Sequence, residues 1–199
     1  MNIHIERIAS GVTLLTALIF VIFSIYLFGH LDENFRPVIA LICAIVLITT
    51  DVLYRRLHTE KWMSKKNFAV IELLGSIQMS LNGIGSLGLY TETKYFDMLL
   101  HITGPVIVGI VLTLIFGSIM KNEKRFYKSR LQLYSLTTTG ILVFVWEGWE
   151  WIGDALFGTS MLGQHGEPYD TLYDILGGIG SLSVLALINI LLIKRAWKN

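Results

Sequence analysis

Residues 96–120 read FDMLLHITGPVIVGIVLTLIFGSIM, an apolar run that holds only two ionisable side chains, Asp97 and His101. A helix needs about 20 mostly apolar residues to cross the hydrocarbon core of a bilayer. Within lipid, a single segment satisfies its backbone polar groups only as a helix. The stretch therefore predicts a transmembrane helix that begins with a carboxylate and an imidazole.

The composition extends this interpretation to the whole chain of 199 residues. Hydrophobic residues make up 53% and charged residues 16%, and the mean hydropathy is +0.61. Soluble domains carry about 25% charged residues, so a water-soluble globular enzyme is excluded. The abundant apolar residues also exclude disorder. A net charge of +1 predicts no nucleic-acid partner.

Five further segments are long and apolar enough to span a bilayer. We predict an all-α polytopic membrane protein whose six transmembrane helices form one bundle, a single domain over residues 1–199. The predicted spans are 11–29, 37–54, 68–90, 96–120, 131–157 and 171–193. The first is a retained span rather than a signal peptide, because no small-x-small cleavage site follows it.

The basic residues predict the orientation of these spans. Of the 16 Lys and Arg residues, all but Arg36 and Lys94 lie at the termini or in the two loops after the second and fourth spans. Basic residues collect on the cytoplasmic side of a membrane. We therefore expect both termini in the cytoplasm.

Carboxylates from three different spans are predicted to meet near the outer face. Ionisable groups inside a membrane are costly, so they usually face the protein interior and mark functional sites. The spacings place the members of each helix on one face. They are Asp97 and His101 in the fourth span, Glu147, Glu150 and Asp154 in the fifth, and Asp170 and Asp174 in the sixth.

So many negative charges cannot lie close together without shared protons or a bound cation. Oxygen ligands with one imidazole suit Mg²⁺, Mn²⁺, Ca²⁺ or Fe²⁺ better than structural zinc. The predicted metal ligands are Asp97, His101, Glu147, Glu150, Asp170 and Asp174. Helix capping is the alternative role for Asp97 and Asp170, and the membership of Asp154 is open.

Other features near this end of the spans have structural alternatives. Trp146, Trp149 and Trp151 are typical of an aromatic belt at the membrane interface, although they could also line an entrance for a lipid chain. His165 and Glu167, in the loop between the last two spans, could form a lid over the site or an ordinary surface loop. No phosphate-binding glycine loop, HExxH, GxSxG or CxxC motif is present.

Three stretches of this chain resemble the YjdF-like family of bacterial inner-membrane proteins. They are Tyr95-Phe96-Asp97-x-x-x-His101, Glu147-x-x-Glu150-Trp151 and the run from Leu162 to Asp174. The resemblance extends over roughly the C-terminal half, from Tyr95 to about Ser181. The loop of that family reads Gln-Gly-Asp-Pro-Trp-Asp, and this chain has His-Gly-Glu-Pro-Tyr-Asp, so His165 departs while Glu167 keeps the charge. The resemblance implies a polytopic inner-membrane protein and no particular reaction.

Three functions fit these residues. The first is a metal-dependent hydrolase or transferase that acts on a lipid-linked substrate, with Glu147 as general base and His101 as a second catalytic group. The second is a cation or proton-coupled transporter. A continuous polar path past Gln78 and Asn82 to Glu72 would favour this function. The third is a membrane component in which the ion is purely structural. Beyond membrane lipids and such a substrate, no partner is predicted.

Overall fold

The computed structural model describes residues 2–30, 35–56, 62–85, 93–121, 128–157 and 169–196, and six α-helices make up nearly all of them. They are α1 (Asn2–His30), α2 (Phe35–Arg56), α3 (Lys65–Ile84), α4 (Lys94–Met120), α5 (Lys128–Phe157) and α6 (Asp170–Ala196). The all-α class is confirmed for the described residues, and each predicted span overlaps one helix. The end of the third span, 86–90, lies outside them.

Three of these helices are long and apolar enough to cross a membrane, judged by length and composition. The qualifying stretches are Glu6–Gly29 in α1, Tyr95–Met120 in α4 and Thr171–Lys194 in α6. A shorter apolar stretch, Val38–Tyr54, lies in α2. The sequences of α3 and α5 contain more polar residues, so a bundle of six spans stays a prediction.

The chain divides into two compact units, Met1–Leu89 and Tyr90–Asn199, each of three helices in the described residues. In the first unit α1 packs against both α2 and α3. The apolar core between α1 and α2 consists of Ala17, Phe20, Ala40, Cys43, Ala44 and Leu47. Whether residues 1–199 form a single domain stays a prediction.

Polar contacts also join the helices of the first unit. The Ser10 hydroxyl donates a hydrogen bond to Asp51 Oδ1 at 3.2 Å, and the hydroxyls of Thr13 and Ser76 lie 3.1 Å apart. The two pairs link α1 to α2 and α1 to α3. They give buried polar side chains the partners that an apolar surrounding requires.

The second unit consists of α4, α5 and α6, each in contact with the other two. Its centre is a fully buried polar layer of Thr113, Ser135 and Asn189, one residue from each helix. Thr113 Oγ1 lies 2.6 Å from Ser135 Oγ and 2.9 Å from Asn189 Oδ1. Hydrogen bonds inside a membrane bundle have little competition from water, so this layer fixes the register of the three helices.

Contacts along the unit show its helix directions. His101 near the start of α4 lies beside Glu147 near the end of α5, whereas Thr113 lies beside Ser135 near the start of α5. The helices α4 and α5 are therefore antiparallel. By the same comparison α6 runs parallel to α4, since Asp174 lies near His101 and Asn189 near Thr113. The starts of α4 and α6 and the end of α5 thus meet at one end.

Glycines allow α5 and α6 to pack closely just below that end. A Cβ added to Gly178 would lie 2.6 Å from Cγ1 and 3.1 Å from Cγ2 of Val143, a buried residue. A valine in a helix has essentially one χ1 rotamer, so its side chain cannot rotate away. The contact therefore requires a residue without a Cβ at position 178.

We expect Gly178→Ala to lower the free energy of unfolding by about 1–3 kcal/mol, because overpacking moves α6 away from α5. The measurement is thermal unfolding of the purified protein in detergent. Gly148→Ala on α5 is the control, since a Cβ there meets nothing within 4 Å. That change should leave stability unchanged or raise it by up to about 1 kcal/mol. Equal stability of the two variants would contradict the close approach.

Candidate metal site

Five of the predicted site residues converge at the end of the second unit where the three helices meet. Asp97 and His101 lie in the first two turns of α4, Glu147 and Glu150 near the end of α5, and Asp174 in the second turn of α6. Each keeps between 3% and 8% of its surface exposed. The side chains are therefore buried within the unit rather than solvated at helix ends.

The imidazole of His101 has carboxylates on both sides of its ring. Nδ1 lies 3.2 Å from Glu147 Oε1. Nε2 faces three other carboxylate oxygens, Asp97 Oδ1 at 3.7 Å, Glu150 Oε1 at 3.8 Å and Asp174 Oδ2 at 3.9 Å. The last three distances are beyond hydrogen-bond length, so Nε2 and these oxygens surround a gap without bonding across it.

This gap has a size that suits a metal ion. Ligand atoms of Asp97, His101 and Asp174 lie within 4.8 Å of one another, and so do those of His101, Glu147 and Glu150. Mg²⁺ and Ca²⁺ bind oxygen at about 2.0–2.6 Å, so one ion can touch atoms separated by up to twice that length. Both groups are therefore close enough to be candidates for holding an ion, and His101 belongs to both.

Glu147 provides an independent indication of a bound cation or proton. Its side chain is 6% exposed, yet neither Oε1 nor Oε2 accepts a hydrogen bond of good geometry from any described residue. Burying a neutral polar group without a hydrogen-bond partner costs about 1–3 kcal/mol. Burying an ionised carboxylate without such partners costs more, on the order of several kcal/mol. The nearer oxygen, Oε1 of Glu147, lies 3.2 Å from Nδ1 of His101.

The charges of the cluster also do not balance by themselves. Four carboxylates surround one imidazole, so a protonated His101 would still leave three negative charges. Among the described residues neither Glu147 nor Glu150 forms an ion pair with Lys or Arg. Like charges buried together require protons or a metal ion. Four carboxylates and one imidazole are a ligand set typical of Mg²⁺, Mn²⁺, Ca²⁺ or Fe²⁺.

The remaining predicted site residues have different positions. Asp170 begins α6, but its side chain lies outside the described residues, as do His165 and Glu167 of the preceding loop. Asp154 lies one turn beyond Glu150, is half-buried and belongs to neither ligand group. Its place in the cluster, left open by the sequence, therefore has no support from the described geometry.

The sequence analysis missed one residue of the site, Trp146. Its indole Nε1 donates a 2.7 Å hydrogen bond to Glu150 Oε1. The sequence assigned this tryptophan to an interfacial aromatic belt. The i, i+4 spacing of Trp146 and Glu150 on one helix is the signal that indicates such a contact.

Comparison with known protein families agrees with the membrane interpretation. A family model described as "Predicted membrane protein (DUF2238)" matches residues 6–194. The match confirms the resemblance to YjdF-like membrane proteins and extends it from the C-terminal half to nearly the whole chain. Comparison with curated proteins and with solved structures gave no match. The description states only a membrane protein, so the chemistry must be argued from the side chains.

We expect Glu147→Gln to raise the unfolding temperature of metal-free protein, because it removes a buried charge that no hydrogen bond stabilises. The change should amount to about 1 kcal/mol or more of unfolding free energy. The measurement is thermal unfolding in detergent with a chelator present. Asp154→Asn, which removes one negative charge outside the ligand groups, is the control and should have a smaller effect. A lower unfolding temperature for Glu147→Gln would contradict the charge imbalance.

Proposed function

Since the chain belongs to the DUF2238 family of predicted membrane proteins, we propose that it is a membrane metalloenzyme that hydrolyses or transfers a group of a lipid-linked substrate. The observation that carries the proposal is the arrangement around His101, with three carboxylate oxygens facing Nε2 and a fourth carboxylate at Nδ1. The ion is divalent, and Mg²⁺, Mn²⁺, Ca²⁺ and Fe²⁺ are the candidates.

The two ring nitrogens of His101 face residues with different proposed roles, metal ligands at Nε2 and a general base at Nδ1. Nε2 of His101 and the carboxylates of Asp97, Glu150 and Asp174 hold the ion, and Asp170 is a further candidate from the start of α6. Glu147 lies at the other ring nitrogen, 3.2 Å away. A metal-binding histidine usually interacts with a carboxylate through its second nitrogen, which orients the ring. Glu147 therefore orients His101 through Oε1, and its other oxygen, Oε2, is the candidate proton acceptor.

The chemistry follows from this division. A bound divalent ion polarises an ester or phosphoryl oxygen and lowers the pKa of a bound water. Glu147 would serve as general base through Oε2, which accepts no hydrogen bond from the described residues. The surrounding burial strengthens every electrostatic interaction at the site, because little water is present to screen it.

Exposed aromatic residues support a lipid substrate. Each of the three helices carries one within two residues of a cluster carboxylate, namely Tyr95 on α4, Trp149 on α5 and Tyr173 on α6. Their exposed fractions are 68%, 53% and 49%. Exposed tyrosine and tryptophan side chains collect at the headgroup level of a bilayer. The cluster therefore lies at the depth of lipid headgroups, where ester and phosphoryl groups are found.

The proposal places the site at the outer face of a bacterial inner membrane. The basic loops and both termini then lie in the cytoplasm, and the start of α4 lies on the opposite side. Substrates at this site would come from the outer leaflet of that membrane.

Transport is the alternative, and packing within the second unit speaks against it. Gly109 and the fully buried Leu185 pack together one turn from the Thr113 layer, on the side of the acidic cluster. This apolar contact lies between the cluster and that layer. The buried hydroxyls of Thr139 and Ser181 also lie between them, and each donates to a backbone oxygen of its own helix. Gln78 and Asn82, which the sequence suggested for a polar path, belong to the other unit, and Asn82 donates to the backbone oxygen of Gln78. A purely structural ion remains the third candidate.

We expect chelator-stripped wild-type protein in detergent to bind Mn²⁺, and Asp174→Asn and Glu150→Gln to bind it at least tenfold more weakly, about 1.4 kcal/mol. Each change replaces a charged ligand oxygen with an amide of the same shape. Titration with Mn²⁺, followed by the signal of the free ion, measures the affinity. Asp154→Asn is the matched control and should bind within a few-fold of the wild type. If the wild type shows no binding, the metalloenzyme proposal is wrong.

We further expect Glu147→Gln to lose the reaction even at Mn²⁺ concentrations that saturate the variant, because the change removes the proposed base. The assay incubates the protein with membrane lipid extract and Mn²⁺ and measures the release of water-soluble headgroups or phosphate. A parallel assay follows Mn²⁺ entry into sealed vesicles that contain the protein. Headgroup release by the wild type alone supports hydrolysis. Mn²⁺ entry without headgroup release would replace the enzyme with the transporter.

A further inference from the structure

Trp146 is an aromatic side chain that is hydrogen-bonded to the acidic cluster. Its ring is 46% exposed at the surface of α5, but its Nε1 donates a 2.7 Å hydrogen bond to Glu150 Oε1. The acceptor carboxylate is 4% exposed. One polar atom of a half-exposed ring is thus directed inward to a buried charge.

The accepting oxygen is the same one that approaches His101. Glu150 Oε1 lies 3.8 Å from His101 Nε2 and accepts the indole N–H from the other direction. A hydrogen bond to an ionised carboxylate is roughly twice as strong as a neutral one. The bond therefore restricts the rotamer of Glu150 and keeps its carboxylate beside the imidazole.

We infer that Trp146 is a positioning residue that holds Glu150 in its metal-binding orientation. The inference rests on the proposed function, because it assigns Glu150 as a ligand of the ion. Groups that bond to a ligand fix its geometry, and their loss typically reduces metal affinity about 10–100-fold. Trp146 would thus act on the metal through Glu150 without touching the ion or a substrate.

The comparison with Glu147 supports a specific role for the indole. Both glutamates lie on α5 and both are buried, but only Glu150 receives a side-chain hydrogen bond from a described residue. The donor lies i, i+4 from its acceptor, so the same helix provides both. A fixed Glu150 and an unbonded Glu147 match the different roles of a ligand and a base.

The neighbouring tryptophan provides a matched control. Trp149 is 53% exposed on the same helix and is adjacent to Glu150 in sequence. No hydrogen bond joins it to the cluster within the residues that the structure describes. Trp149→Phe therefore removes the same indole N–H from the same membrane depth without affecting Glu150.

The experiment measures Mn²⁺ affinity of the full-length, chelator-stripped protein in detergent. We expect Trp146→Phe to weaken binding about 10–100-fold, and Trp149→Phe to bind within about twofold of the wild type. Trp146→Leu is a second truncation that should give the same loss. Both changes also remove a hydrogen bond from the buried Glu150, so the metal-free variants should unfold at a lower temperature than the wild type. Stabilisation by added Mn²⁺ should decrease in addition.

A double-mutant cycle separates positioning from a general effect on the helix. In the Glu150→Gln background, Trp146→Phe should cause no further loss of Mn²⁺ affinity, since the carboxylate that it positions is gone. Additive losses would overturn the inference.

The outcomes distinguish the inference from the proposal beneath it. If the wild type binds Mn²⁺ and Trp146→Phe binds equally well, the positioning role is wrong and the metal site stands. If the wild type itself does not bind Mn²⁺, the metal site is wrong, and the role of Trp146 falls with it.

Discussion

The second unit of this protein depends on the burial of His101 among four carboxylates. Carboxylates that are buried so close together cannot all stay ionised unless a positive charge compensates them. The single imidazole compensates for at most one of them, and its Nε2 approaches three oxygens without bonding to any. Protons, a divalent ion or both can compensate the charge that remains.

The packing of the three helices holds the carboxylates of the cluster together against their mutual repulsion. About 18 Å from His101 along α4, the bonded layer of Thr113, Ser135 and Asn189 sets the register of the three helices. The close contact of Gly178 with Val143 brings α6 against α5 nearer to the cluster. Together these features prevent the helices from separating to relieve the repulsion of the carboxylates.

The two glutamates on α5 differ in their hydrogen bonds, and this difference suits two different chemical roles. Glu150 accepts a hydrogen bond from Trp146, while the oxygens of Glu147 receive none from the described residues. A carboxylate whose orientation is fixed suits the binding of an ion, and one without donors is ready to accept a proton. Exposed aromatic side chains lie beside the cluster on all three helices.

Much of this could be predicted from the sequence, because apolar segments of membrane length and the spacing of ionisable residues are local properties. The run at 96–120 predicts α4 with Asp97 and His101 on one face, and the same reasoning found Glu147, Glu150 and Asp174. The sequence by itself thus determined the helical class and predicted a set of ionisable residues, of which the structure brings together Asp97, His101, Glu147, Glu150 and Asp174. Only the tertiary structure decided which ring nitrogen faces which carboxylate, that Asp154 lies outside the ligand groups, and that Trp146 bonds to Glu150. These depend on side-chain rotamers and on helix rotation, which packing between helices sets and which no spacing along the chain encodes.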